Sequence, residues 1–177
     1  MKTKLLLLLA AVAAMGLYAC HDIAGGGWLW SANGMMEDKA TFGMNLKCYE
    51  ESGGLFYDRA GGQITYHDHG VKLGDFNDML FTGKDAKKKL QFKAVIEEPA
   101  GIKFDVCVDE IFFGSYTGTY TPIPPTLGDG GMIYVYAEDR GETGPDKDDF
   151  LKVELYGGVF DGYYNEGTPQ GGNIVLK

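Results

Sequence analysis

The sequence predicts an all-β protein, an antiparallel β-sandwich or flattened barrel. Apolar residues alternate at period two in several separate segments: Phe42, Met44 and Leu46; Leu90, Phe92, Ala94 and Ile96; Ile102, Phe104, Val106 and Val108; Leu151, Val153 and Leu155; Ile174 and Leu176. Half-buried strands send successive side chains to opposite faces and so give this pattern. The chain also carries 27 glycines, with clusters at Gly25 to Gly27, Gly61-Gly62, Gly130-Gly131 and Gly171-Gly172 that punctuate the runs. Glycine suits such places because it tolerates positive φ and close backbone approach. Beyond residue 19 no segment keeps a helical period over three turns; the best stretch, Asp78 to Leu90, is interrupted by Gly83 and predicts one short turn. Many short strands with glycine turns favour antiparallel sheet over any α/β arrangement.

At the N-terminus, Lys2 and Lys4 precede an apolar run from Leu5 to Leu17, the order of a signal peptide. A spanning helix needs ~20 apolar residues, and the flank that follows here is polar and glycine-rich. Leu17-Tyr18-Ala19-Cys20 resembles a lipobox in which Cys20 takes the lipid. The expected organisation is a lipoprotein-type signal peptide over residues 1–19, a short tether over 20–24 and one β-domain over 25–177. Several acyl chains at Cys20 would anchor stably, since each buried CH₂ contributes about 0.8 kcal/mol and one chain alone holds only marginally. The expected location is therefore the outer membrane or cell surface, with plain secretion as the alternative.

Removing residues 1–19 takes Lys2 and Lys4 with it, so the formal charge moves from −9 to −11 over the remaining 158 residues. Nucleic acid is excluded as a partner because a phosphate backbone requires clustered Lys and Arg, and Lys87-Lys88-Lys89 is short and adjacent to Asp85. Lipidation of Cys20 would leave Cys48 and Cys107 as one candidate disulfide pair. Alternation weighs against that bond: Cys48 shares the parity of Phe42, Met44 and Leu46, whereas Cys107 shares that of Lys103, Asp105 and Asp109.

The candidate chemistry lies in three places. His67-Asp68-His69 follows a strand-like Ile64 to Tyr66, and two histidines at i and i+2 would share a side of a continuing strand; a turn held by Asp68 is the structural alternative to zinc. Glu138, Asp139, Glu142, Asp146, Asp148 and Asp149 form an acidic loop. Closely spaced carboxylates can supply the oxygens that calcium requires, but the spacing is not that of an EF-hand. The alternative is that Asp139 and Asp149 accept hydrogen bonds from turn N–H groups while the other carboxylates face water. Finally Trp28, Trp30, Tyr49, Tyr57, Tyr66, Tyr134, Tyr136, Tyr156, Tyr163 and Tyr164 suit either cross-strand packing or stacking against sugar rings. The chain shows no G-x-S-x-G and no H-E-x-x-H, and no Cys-His-Asn set stands out. A non-enzyme is the expected class.

GGGWLW at 25–30, KATFGMNL at 39–46, ITYHDHG at 64–70, IYVYAEDRGETGPDKDDF at 133–150 and GGNIVL at 171–176 occur in this order across nearly the whole chain after residue 19. Together they resemble a small β-rich domain found downstream of choice-of-anchor modules in bacterial secreted and surface proteins. The resemblance implies a first strand carrying Trp28 and Trp30, a second over Thr41 to Tyr49 and a last over Asn173 to Leu176, with the chain ends pairing. It implies a turn at Asp68-His69-Gly70 and marks Asp139, Glu142 and Asp149 as the family-matching acidic positions, the candidate calcium ligands. It names no reaction.

The chain departs from that pattern at residues 114–131, which read as an inserted loop or a lengthened hairpin. Pro122, Pro124 and Pro125 lack an N–H and so argue against a central strand there, which would leave the segment exposed. Tyr116 and Tyr120 then become candidate ligand-binding rings, because long exposed loops carry binding specificity. The sequence thus points to a non-catalytic envelope or secreted module with a structural or interaction role, the alternative being a carbohydrate-binding module that uses exposed aromatics. Its expected partners are the membrane, through the lipid, and a glycan or an envelope protein.

Overall fold

The computed structural model describes residues 22–34, 37–49, 59–97, 112–140 and 149–176. Among them nine strands form one antiparallel sheet. The strands are β1 (Ile23–Trp30), β2 (Lys39–Tyr49), β3 (Arg59–Lys72), β4 (Lys89–Ile96), β5 (Phe112–Pro122), β6 (Gly131–Asp139), β7 (Phe150–Tyr156), β8 (Tyr164–Gly167) and β9 (Gly171–Leu176). One helical turn, α1 (Leu73–Phe76), and a 3₁₀ turn at Asp85–Lys87 lie between β3 and β4, so the short turn expected near Asp78 to Leu90 is present. The all-β class is observed.

The spatial order is β8-β7-β6-β5-β4-β3-β2-β1-β9. Strands β1 to β8 thus form a meander of sequential neighbours, and β9 returns to pair with β1, from Ile23 opposite Leu176 to Trp28 opposite Gly171. The two chain ends pair as the sequence led one to expect. Close approach at this seam requires glycine: a Cβ on Gly27 would lie 2.1 Å from the carbonyl oxygen of Gly171. The β2–β3 pairing has a similar demand at Gly62, where φ is +123° and a Cβ would stand 2.0 Å from the Asn45 carbonyl oxygen. Right-handed strand twist curls the sheet into a half-barrel, and Asn165 of β8 reaches the far side, donating from Nδ2 to the carbonyl of Trp30 in β1 at 3.0 Å.

The period-two runs decide which face is inside. Phe42, Met44 and Leu46 in β2, Leu90 to Ile96 in β4 and Leu151, Val153 and Leu155 in β7 all bury the apolar members of the alternation. Phe160, from the Gly158–Phe160 turn after β7, packs into the interior. Its ring stacks on Tyr120 at 5.8 Å between centroids and meets Phe81 at 6.1 Å and Phe76 at 6.4 Å. Each fully buried aromatic of this kind contributes about 1.5–3 kcal/mol relative to exposure.

Residues 114–122 contradict the reading as an exposed insertion, while the alternative of a lengthened hairpin holds: β5 and β6 pair antiparallel and are joined through 123–130. Gly114 to Pro122 belong to β5, a central strand paired to β4 on one side and to β6 on the other. Its rings are inside: Tyr116 is 0 % and Tyr120 is 2 % exposed. The physical reason lies in the run from Ser115 to Thr121, where tyrosine and glycine alternate with hydroxyl residues, and in where the prolines fall. Pro122 ends the strand opposite Phe92, and Pro124 and Pro125 belong to the connection that follows, so the ladder loses no interior donor. Tyr116 and Tyr120 are core residues and are withdrawn as ligand-binding candidates.

Cys20, Cys107, Glu142 and the strand foreseen over 102–108 lie outside the described residues. Cys48 sits in β2 opposite Ala60, but its side chain also lies outside them.

Candidate functional site

Three polar constellations deserve comparison, two tied into the structure and one open to solvent. The first surrounds Asp68, which is 0 % exposed. Its Oδ1 accepts from Ser31 Oγ at 2.5 Å, from the Gly70 N–H at 2.9 Å and from the Val71 N–H at 3.2 Å. Its Oδ2 accepts from the Ala32 N–H at 3.1 Å and from the Tyr163 hydroxyl at 2.8 Å. The Tyr163 hydroxyl also lies 3.2 Å from that of Tyr66, which accepts from Asn165 Nδ2 at 2.7 Å. Burial pushes the Tyr66 and Tyr163 phenols above their ordinary range; at Tyr163 the neighbouring Tyr66 and Asp68 act in the same direction. The carboxylate holds the end of β1, the bulge between Asp68 and Lys72 in β3, and the segment entering β8. The aspartate does hold a local turn, and this turn is a bulge within a strand. A buried acceptor satisfied by five donors is a structural tie.

His67 and His69 project from the opposite face of β3. They do share a side, their ring centroids 3.8 Å apart, and His69 Nε2 lies 3.3 Å from Thr41 Oγ1. Burial and the adjacent His69 lower the His67 pKa. Trp28 and Trp30 are half-buried on the same outer face, edge to face at 5.1 Å, with Lys39 Nζ 4.0 Å from the Trp28 ring centroid.

The second constellation is the stem of the acidic loop. Asp149 is 2 % exposed and accepts from the Arg140 N–H through Oδ1 at 3.2 Å and from the Ile174 N–H through Oδ2 at 3.0 Å. It therefore ties the end of β6 to β9, the backbone role that was the alternative to calcium. Glu138 is also buried; it accepts from the Tyr136 hydroxyl and pairs with the Arg140 guanidinium. Burial, followed by the bond to Glu138, raises the Tyr136 phenol. Asp139 is the last residue of β6. Among the described residues no three His, Cys, Asp or Glu side chains gather in a way that would hold a metal ion.

The third constellation is the outer face of β6, β7 and β8. Parity places Met132, Tyr134 and Tyr136 of β6 outward, because Ile133, Val135 and Ala137 are buried; Lys152, Glu154 and Tyr156 of β7 are outward for the same reason. The register sets Tyr134 opposite Glu154 and Glu154 opposite Tyr164, while Met132 faces Tyr156. Met132 is 58 %, Tyr156 51 % and Tyr164 44 % exposed. Lys152 Nζ bonds Glu154 Oε1 at 2.9 Å and lies 5.3 Å from the Tyr164 ring centroid and 5.8 Å from that of Tyr134. The Tyr156 hydroxyl donates to the other Glu154 oxygen. These two donors, Tyr156 first and Lys152 second, lower the Glu154 pKa, and the bond to Glu154 raises those of Tyr156 and Lys152. Thr117, Met132, Ile133, Tyr134, Lys152, Glu154 and Tyr156 line an open depression of about 340 Å³.

Of the aromatic candidates, Tyr66 and Tyr163 are thus inside while Tyr134, Tyr136, Tyr156 and Tyr164 lie on one outer face. Lys152, Glu154 and Met132 were missed from sequence. Their signal was present as the polar half of the same alternation that reveals Val135 and Val153. No family model, no curated protein and no solved structure matches the chain.

Proposed function

We propose that the protein is a non-catalytic interaction module of the bacterial envelope, exported and held by lipid on Cys20, that engages its partner through the outer face of β6–β8. The resemblance to the domain downstream of choice-of-anchor modules and the order of the N-terminal residues support the compartment. One observation carries the interaction face: Met132, Tyr156 and Tyr164 remain exposed side by side around an ion pair, while Tyr66, Tyr116, Tyr120 and Tyr163 fill the interior. Single exposed apolar residues need no explanation, but a gathered set marks an interaction surface.

The test is co-sedimentation of the purified full chain, in mild detergent, with envelopes isolated from the producing bacterium. Saturable binding should weaken by about tenfold or more when Tyr156→Ala and Tyr164→Ala are combined, the effect of losing an aromatic anchor. Melting temperature should stay within a few degrees, because both rings are solvent-facing. Binding that is indifferent to the double substitution would refute the assignment of this face.

A further inference from the structure

Resting on that reading of the β6–β8 face, the geometry points to a neutral polysaccharide as the occupant, and we infer that Tyr134, Tyr156 and Tyr164 stack on its sugar rings while Glu154 and Lys152 bind its hydroxyls. Adjacent strands lie about 4.8 Å apart. Because Glu154 stands between Tyr134 and Tyr164 in the register, those two tyrosines are separated by roughly two strand spacings, about 10 Å. Tyr156 is two positions along β7 from Glu154, on the same side of the strand. Three rings therefore surround one carboxylate and one ammonium. A pyranose has the matching surface, with C–H faces that pack on aromatic rings and an equatorial rim of hydroxyls that both donate and accept.

The polar pair is pre-arranged for this. Each Glu154 oxygen takes one donor, from Tyr156 or Lys152, which leaves the carboxylate further acceptor capacity, and Lys152 keeps further donors beyond its bond to Glu154. Hydroxyls can replace the water on these groups bond for bond, so the pair is covered without being left unsatisfied. An apolar helix or peptide would bury the same Lys152–Glu154 pair without replacing those bonds, leaving its desolvation uncompensated. An anionic polymer meets Glu154 and Glu166 on the face and a chain of formal charge −9. The depression is open rather than enclosed, which suits a polymer that continues past the site. Its volume is within the range of ligand sites, about 300–1,000 Å³.

The experiment has two arms, each using the full chain in mild detergent. The first is native affinity electrophoresis in gels containing neutral polysaccharides, namely β-glucan, galactomannan, xylan and dextran, or the anionic polymer alginate. Retardation is expected in at least one neutral gel and not in alginate. It should be lost in Tyr156→Ala and Tyr164→Ala and persist in His67→Ala, which alters the outer side of β3. The second arm repeats the envelope binding after periodate oxidation, which cleaves vicinal diols, and should show a loss of about tenfold or more. Envelope binding that needs Tyr156 and Tyr164 yet survives periodate, or retardation by alginate alone, would overturn the polysaccharide and leave the interaction face standing. Retardation that persists in both tyrosine variants would overturn the placement of the sugar, and envelope binding indifferent to them would overturn the face itself.

Discussion

Replacing Asp68 by Asn tests the tie that closes the half-barrel, because it changes charge and donor pattern while nearly preserving shape. The carboxylate is fully buried and accepts from two hydroxyls and three backbone N–H groups. An amide retains one oxygen. Placed where Oδ1 stands, it keeps the bonds from Ser31, Gly70 and Val71, now without charge assistance, which roughly halves their strength. The NH₂ then occupies the Oδ2 position, where the Tyr163 hydroxyl can turn and accept. The Ala32 N–H at 3.1 Å cannot turn and faces a donor. An unpaired buried N–H costs about 1–3 kcal/mol, so the total loss should be about 2–4 kcal/mol. At roughly 2–4 °C per kcal/mol for a chain of this size, melting temperature should fall by about 5–15 °C. Urea denaturation followed by circular dichroism measures the loss directly. A Tyr163→Phe cycle on both backgrounds should show coupling of at least about 0.5 kcal/mol. An Asn variant as stable as the wild type, or more so, would refute the reasoning, since it would mean that burying the charge costs as much as its five bonds return.

Three further outcomes follow from the same structure. Tyr66 and Tyr163 have phenols raised by burial, so the folded state keeps protons that unfolded tyrosines release near pH 10. Stability should hold below about pH 10 and then fall by up to ~1.4 kcal/mol per pH unit per phenol, read by urea melts between pH 8 and 11.5; a flat profile would contradict their burial. Calcium at the acidic loop would raise the melting temperature by several degrees at a hundredfold excess over Kd, worth about 2.7 kcal/mol. With Asp149 buried and turned to backbone N–H groups, the expected result is indifference to calcium and chelator, together with a loss of about 1–3 kcal/mol in Asp149→Ala from unpaired N–H groups. Cys20→Ser should abolish fatty-acid labelling of the protein in cells, and undiminished labelling would refute lipidation at that residue.

The sequence exposed the sheet well because alternation is local: Phe42, Met44 and Leu46 announce their own face, and so do Leu151, Val153 and Leu155. The same rule applied to Ser115 through Thr121 would have placed Tyr116 and Tyr120 inside. The three prolines overrode it, although a proline at a strand end removes no ladder bond. The Asp68 tie was legible only in its local half, the bonds to Gly70 and Val71. Ser31, Tyr163 and Asn165 join the network from 37 to 99 positions away from their partners, brought there by the curl of the sheet. The outer face of β6–β8 was half legible. Parity separates Tyr134 and Tyr136 from Val135, yet only the register between strands shows that Glu154 falls between Tyr134 and Tyr164.

The claim that this face meets the partner is tested most directly by hydroxyl-radical footprinting of the full chain, free and bound to isolated envelopes. The method reads solvent access residue by residue, and the relevant side chains, Met132 and the exposed tyrosines, are strongly reactive. Met132, Tyr134, Tyr156 and Tyr164 should become protected together on binding, while His67 and His69 on the outer side of β3 keep their rates. Protection confined to His67 and His69, with Tyr156 and Tyr164 unchanged, would contradict it.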